Sequence, residues 1–404
     1  MRTIICSCLA CLLLASGASQ AAEWKIAPTL RFRAGYNDNL RMGTDNEISS
    51  AEATFSPSAV FSVATPASNV SGTVGFDFRR FEADSNLDDN NSRFEISSFH
   101  NLERSRLGLD LGFIKDTTLD SQLEATGLAF DRIRRQSITA SPNWTYTFNE
   151  RTRVNANYSY SDVEYLNPSD VRFVNYTLNS GQASLTRVMN EQITASITLS
   201  GTRSNNDNDR KSTNANLQIG ASYRFSETLS ATLFAGARRT ETNSSQTSLI
   251  PILSGNTRIG FVPLTQDITN RSSGATLNAS LTKTLLRGEI GLSASRDISN
   301  DFNGEPIEVT RLSTTSLYRF SEILSARLKL EFYDSKSNDN IITGLNRNYY
   351  QIEPKFTWAV KKFWSLSGSY RYRKQTFTDI KEDATQNAAY LTLTYRWPRI
   401  AVSR

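Results

Sequence analysis

Histidine and cysteine, which carry much of metal binding and nucleophilic catalysis, are nearly absent from this chain. Its 404 residues include one histidine, His100, and three cysteines, Cys6, Cys8 and Cys11. A multi-histidine metal centre has no ligand set, and a serine–histidine hydrolase has one candidate base. His100 shares its alternation with Phe94, Ile96 and Leu102 beside a tight turn, an apolar face on which catalysis is not expected. No glycine-rich phosphate loop, paired zinc ligands or nucleophile elbow occurs. Asp and Asn oxygens crowd 84–91, 205–209 and 338–340 and could ligate a divalent cation. None of these has the glycine and terminal glutamate of a calcium loop, so solvated turns are the reading. No enzyme activity, metal, cofactor or nucleic-acid partner is expected.

The cysteines inform by position. All three precede residue 12, inside Met1-Arg2-Thr3, an apolar run from Ile4 to Leu14 and the small-residue pattern Ser19-x-Ala21. A basic start, a short apolar stretch and small residues at a cleavage site are the marks of a secretory leader, placed at 1–22. Cys11 lies too early for a lipoprotein anchor. The remainder, 23–404, is expected to be one thiol-free domain, which excludes disulfides and iron–sulfur sites. It holds no run of about 18 apolar residues, so no helix is expected to cross a membrane.

Strands are the remaining way across. Ala389, Leu391, Leu393, Tyr395 and Trp397 alternate with Tyr390, Thr392, Thr394 and Arg396. The pattern recurs in 193–200, 216–225, 324–332 and 364–373. Successive side chains of a strand point to opposite faces, so each segment meets two different surroundings. Only 38% of residues are hydrophobic while 10% are aromatic, too few aliphatics for large soluble cores and suited to a barrel wall. Eight tight connectors interleave with nine longer polar ones. That predicts an all-β, transmembrane antiparallel barrel of about 18 strands (16–18), with short periplasmic turns and long extracellular loops, in the bacterial outer membrane. Phe148, Phe225, Phe320, Trp358, Trp364 and Trp397 sit beside the short connectors and are expected to form the membrane girdle.

The opposite parity lines the lumen. It carries Arg31, Arg33, Arg79, Arg224, Arg238, Arg319, Arg327, Lys329, Lys355, Arg371, Arg373 and Arg396, against Asp77, Asp110, Glu331 and Glu353. Cations at the lipid midplane cost about 2–4 kcal/mol, so they belong inside, where they bias a pore towards anions. The alternative is that they only brace the wall by pairing with the acids. The longest connection, 243–270, is unusually apolar, with Leu249, Ile250, Pro251, Ile252 and Leu253, then Phe261, Val262, Pro263 and Leu264. It is expected to extend the wall as a hairpin, to fold into the mouth as a constriction with Ile250, Pro251, Ile252, Phe261 and Pro263 at the narrowing, or to serve as a docking patch for a partner.

The first strand and the ending resemble a known family. Tyr36, Asp38, Asn39 and Leu40 match the Tyr-x-Asp-Asn-hydrophobic stretch that follows the first strand in β-barrel porins of exopolysaccharide and exosortase loci, the EpsL-like barrels. The ending from Tyr390 to Arg404 is also similar, although most outer-membrane proteins stop at an aromatic residue and here a tail follows Trp397. The resemblance implies a part in secreting or assembling an extracellular polysaccharide. The expected partners are outer-membrane lipid and lipopolysaccharide, a polysaccharide or small anionic solute, and periplasmic export components. Two functions follow as expectations, a channel for hydrophilic anionic solutes or polymers and a scaffold barrel that transports nothing.

Overall fold

A sheet with unlike faces leaves unpaired edges unless it closes on itself. The computed structural model describes residues 22–45, 47–118, 133–166, 173–254, 257–337 and 346–403, without the side chains of 246–260 and 403. The expected leader lies outside the described residues except for Ala22, as does the acidic segment 338–340.

The strands begin with β1 (Glu23–Asn37), β2 (Ser50–Ala64), β3 (Ser68–Phe81), β4 (Asp89–Asn101), β5 (Ser105–Thr117) and β6 (Arg134–Asn149). There follow β7 (Thr152–Leu166), β8 (Tyr176–Val188), β9 (Ile193–Asn206), β10 (Lys211–Ser226), β11 (Leu229–Ser254) and β12 (Thr257–Leu285). The last are β13 (Gly288–Asn300), β14 (Pro306–Arg319), β15 (Leu324–Ser337), β16 (Arg347–Lys361), β17 (Trp364–Phe377), β18 (Glu382–Arg396) and β19 (Ile400–Ser403). Each strand from β1 to β18 pairs antiparallel with its sequence neighbours, and β1 pairs with β18. The result is a closed 18-stranded barrel, the count that the connectors predict.

Two features differ from the sequence expectation. The strands outrun the apolar alternation: β4 has 13 residues and β10 has 16, and the loop expected near 204–212 shrinks to four residues between β9 and β10. Ladder hydrogen bonds need only backbone, so pairing continues where the side chains turn polar. The tail after Trp397 is also not free. As β19 it pairs with Glu23–Ile26 of β1 and extends the closing seam. At the junction Pro28, which has no N–H, accepts the Trp397 N–H at 2.9 Å.

Outside, aromatic rings climb the wall. Phe32, Phe55 and Phe78 lie on consecutive strands, with centroids 4.7 and 6.3 Å apart. Each such pair adds about 0.5–1.5 kcal/mol beyond its buried area. The six residues expected at the girdle all fall on the outer face and are exposed, with rings gathered at Tyr146–Phe148, Tyr223–Phe225, Tyr318–Phe320 and Trp364–Tyr395–Trp397. A closed antiparallel barrel, apolar outside with aromatics banded at the short turns and polar inside, is the architecture of a bacterial outer-membrane protein.

Candidate functional site

Register decides which side chains enter the lumen, because directly opposed residues share a face. By that register all twelve basic residues assigned to the polar parity point inward. Ten of them divide into two groups. Arg33 pairs with Glu52 at 2.7 Å, Lys329 with Glu331 at 2.8 Å, Arg371 with Glu353 at 2.8 Å, and Arg238 with Glu308. Arg373 is buried and donates to Gln351 at 3.1 Å and Gln386 at 3.4 Å. By contrast, Arg31, Arg224, Arg319, Arg327 and Arg396 are exposed to the lumen and make no ion pair among the described residues. Arg224, Arg319 and Arg396 stand at the short-turn ends of β10, β14 and β18.

Twelve cations against four acids overstates the imbalance of charge in the lumen. Glu52 and Asp116 also face inward, Asp116 taking two hydrogen bonds from Arg135 at 2.9 and 3.0 Å. Glu52 opens β2 and Asp116 nearly ends β5, where the apolar alternation that reveals a face has faded. Bracing therefore does account for part of the basic set, and the surplus sits towards the short turns.

The opposite end of the lumen is narrowed by a cluster the sequence did not show. Val163 and Tyr165 of β7 and Tyr176 of β8 pack in one apolar group with Ile307 and Val309 of β14, Tyr333 of β15 and Tyr349 of β16. These two sets of strands are not neighbours in the sheet. Phe302 and Met42, both 1% exposed, come from connections and complete the group.

Phe302 rides on a five-residue tip, residues 301–305, that joins β13 to β14. The tip is folded by its own bonds. The Asp301 carboxylate accepts the N–H groups of Asn303 and Glu305 at 2.8 Å each, and Asn300 Nδ2 donates to the Gly304 carbonyl at 2.8 Å. Gly304 has φ +74, and a Cβ there would stand 2.6 Å from the Tyr176 ring, so both backbone and space demand glycine. The tip docks on the β7–β10 side. The Tyr165 hydroxyl donates to the Phe302 carbonyl, Val174 N–H to Asn303 Oδ1 at 3.1 Å, and Arg210 pairs with Glu305 at 3.1 Å. Burial pushes the Asp301 carboxyl up to about 6, against the pull of the two N–H donors and Arg210.

Met42 is held by the stretch that carries the family resemblance. Asp38 accepts the Asn387 N–H at 2.6 Å and its side-chain amide at 2.7 Å. Asn39 Nδ2 donates to the Gly43 carbonyl at 2.9 Å and the Thr385 carbonyl at 3.0 Å. Leu40 packs on Phe81 and Leu87, Tyr36 faces outward, and the Met42 carbonyl accepts Gln375 Nε2 at 2.7 Å. Asp38 and Asn39 thus clamp the first loop to β18, and Met42 ties it to β17.

Where the β13–β14 hairpin turns inward, the wall parts. β12 and β13 share register only from Leu277–Arg296 down to Leu285–Gly288, and 257–276 pair with β11 alone. Arg238 crosses above Gly274 to Glu308, and Glu308 also holds Arg296 at 2.7 Å.

Within 243–270, residues 243–254 of β11 pair antiparallel with residues 257–270 of β12, with Leu249 opposite Pro263, Pro251 opposite Phe261 and a register shift at Ile252/Leu253. Of the two conformations expected, the extended wall is what forms, and the inward-folded constriction is corrected. Residues 243–254 find a full backbone ladder in 257–270, which an inward loop would forfeit. Phe261 and Pro263 are exposed; the side chains of Ile250, Pro251 and Ile252 lie outside those described.

The remaining candidates resolve as local structure. Ser68 and His100 are direct cross-strand neighbours, Oγ to Nδ1 2.7 Å, on the exposed outer face. Among the described residues nothing orients the other ring nitrogen. Asp84 caps a short 3-10 turn and Asp88 accepts the Phe81 N–H at 2.9 Å.

No protein-family model matches the chain, and no curated protein matches it. Among solved structures it is similar to the ferric-catecholate import receptor Fiu of E. coli K12, with TM-score 0.48, 10% identity, 91% of this chain and 81% of that one covered. It is also similar to Pseudomonas aeruginosa OccK2 in complex with glucuronate, with TM-score 0.48, 10% identity and coverage of 93% and 98%. For Acinetobacter baumannii OccAB3 the values are 0.46, 10%, 93% and 99%. Likeness at this level adds nothing to the barrel described above.

Proposed function

We propose that the protein is an outer-membrane channel for hydrophilic anionic solutes, working in the setting of extracellular polysaccharide export. The observation that carries the reading is the inner surface near the short turns, where Arg31, Arg224, Arg319, Arg327 and Arg396 stand exposed without carboxylate partners. An eighteen-stranded wall is wide enough to enclose water, whereas about eight strands would be filled by side chains. Fixed cations in such a lumen raise the local concentration of anions and lower the entry barrier for them. The polysaccharide setting is supported by the Tyr36, Asp38, Asn39 and Leu40 stretch alone. The outer face would meet lipid and lipopolysaccharide, and the short-turn mouth would meet periplasmic export components.

Planar-bilayer recording under a salt gradient tests this. The expected result is conductance with a reversal potential on the anion side. A cation-selective pore, or no conductance even after the 301–305 tip is removed, would overturn it.

A second reading has its own observation. The β11–β12 hairpin exposes Phe261, Val262 and Leu264 at 51, 49 and 51%, an apolar edge suited to a protein partner. A scaffold barrel would co-purify with export machinery through residues 243–270 and carry no ion flux.

A further inference from the structure

Three of the inward cations are arranged in a way that charge bias alone does not require. Arg327 of β15 lies directly opposite Lys355 of β16 in the ladder. Like charges in directly opposed positions destabilise a sheet. Arg31 of β1 and Arg33 also face Lys355 closely enough to repel it, and the acid in reach is Glu353. Glu353 is already held by Arg371 at 2.8 Å, and Glu52 by Arg33 at 2.7 Å. Five cations therefore share two carboxylates, and both carboxylates are engaged. Arg31, Arg327 and Lys355 themselves make no hydrogen bond or ion pair among the described residues.

The supporting groups are fixed in place. The Tyr390 ring lies across Gly35, where a Cβ would stand 2.2 Å from it, and is flanked by the guanidinium groups of Arg33 at 4.6 Å and Arg371 at 5.5 Å. Tyr390 is 8% exposed, so the ring that carries Arg33 and Arg371 is packed into the wall beside the cluster.

We infer that Arg31, Arg327 and Lys355 form a binding site for an oxyanion, the carboxylate, sulfate or phosphate group of a solute in the lumen. An anion set among them removes the repulsion and gains charge-assisted hydrogen bonds from two guanidinium groups and an ammonium. Because the three come from β1, β15 and β16, the site is built on the wall, not on a loop. The inference rests on the reading of the lumen as a solute passage, and it specifies what the solute carries.

The test uses the full barrel isolated from outer membranes in detergent, with inorganic phosphate and a uronate trisaccharide as probes against equal ionic strength of chloride. Both are expected to raise the melting temperature and to bind saturably in calorimetry. Arg327→Gln and, separately, Arg31→Gln should weaken binding at least tenfold. Lys355→Gln should do the same while raising the melting temperature in chloride, because it removes a repelled charge. That gain shows a folded variant and separates loss of the site from loss of the fold. Phosphate binding without the uronate would assign the site to a free phosphate ion; uronate binding would assign it to acidic sugars. Equal behaviour of chloride and both probes, or undiminished binding in all three variants, overturns the site. Anion-selective conductance that survives these substitutions through Arg224, Arg319 and Arg396 would leave the channel standing, so the two readings fail separately.

Discussion

The two hairpins on either side of the parted wall use their length in opposite ways. The β11–β12 hairpin has strands of 26 and 29 residues, and its upper part pairs only with itself and leaves Phe261 and Leu264 exposed. The β13–β14 hairpin has strands of 13 and 14 residues, yet its five-residue tip buries Phe302 among tyrosines of the far wall. A long paired ladder satisfies its own backbone and has no need of the lumen. The short tip instead turns its backbone bonds inward on Asp301, which frees one large ring to reach across. Reach into a pore depends on what a loop leaves unsatisfied more than on its residue count.

That contrast can be broken experimentally, and the largest effect is expected at Phe302. Phe302→Ala removes the ring from a buried cluster at a cost of about 3–5 kcal/mol, enough to undock the tip. Single-channel conductance should rise several-fold, and an unchanged conductance would show that the cluster does not narrow the path. Gly304→Ala should have a smaller effect of the same sign. A left-handed alanine costs about 1–2 kcal/mol, before the contact with the Tyr176 ring is relieved. Chymotrypsin cleavage after Phe302, or disulfide trapping of the tip, would register the displacement.

The pH dependence comes next in size. The Asp301 carboxyl, faced by Arg210, Glu305, Tyr165 and Tyr176, is raised to about 6 when docked. The docked tip therefore binds its proton more tightly than a freed one, and docking is strongest below about pH 4 and weakens as pH rises through 6. Conductance should increase from pH 4 to pH 7, and Asp301→Asn should flatten that slope; a slope of opposite sign would contradict the assignment. Least affected should be the barrel with 246–264 replaced by a tight turn. Its conductance should match the intact protein within error, since that hairpin stands outside the path. A large gain there would return the constriction to 243–270.

The sequence made the wall legible because alternation is a local property. Leu391, Leu393 and Tyr395 against Thr392, Thr394 and Arg396 declare two faces without any knowledge of their neighbours. The constriction depends on contacts between β7, β8 and β14–β16, which no local pattern contains. One sign was present. Val163 and Tyr165, Ile307 and Val309, and Tyr333 and Tyr349 put apolar side chains on the polar parity at the long-loop ends of their strands. Apolar residues on a lumen face mean that part of the lumen is dry. Phe302 stood alone among Asp301, Asn303 and Gly304 and looked like any turn residue. The acids Glu52 and Asp116 were missed for the converse reason, lying where the alternation had stopped marking faces.

The parting of β12 from β13 has a mechanical consequence. Along the rest of the circumference, shear between strands must break a row of backbone hydrogen bonds. Above Leu277–Arg296 no ladder joins β12 to β13, and among the described residues the load passes to the Arg238–Glu308 ion pair and to the docked 301–305 tip with its Arg210–Glu305 pair. Side-chain ion pairs stretch and re-form where a ladder would rupture, and they soften in salt. The barrel is therefore a hoop with one elastic joint, placed beside the element that narrows its bore.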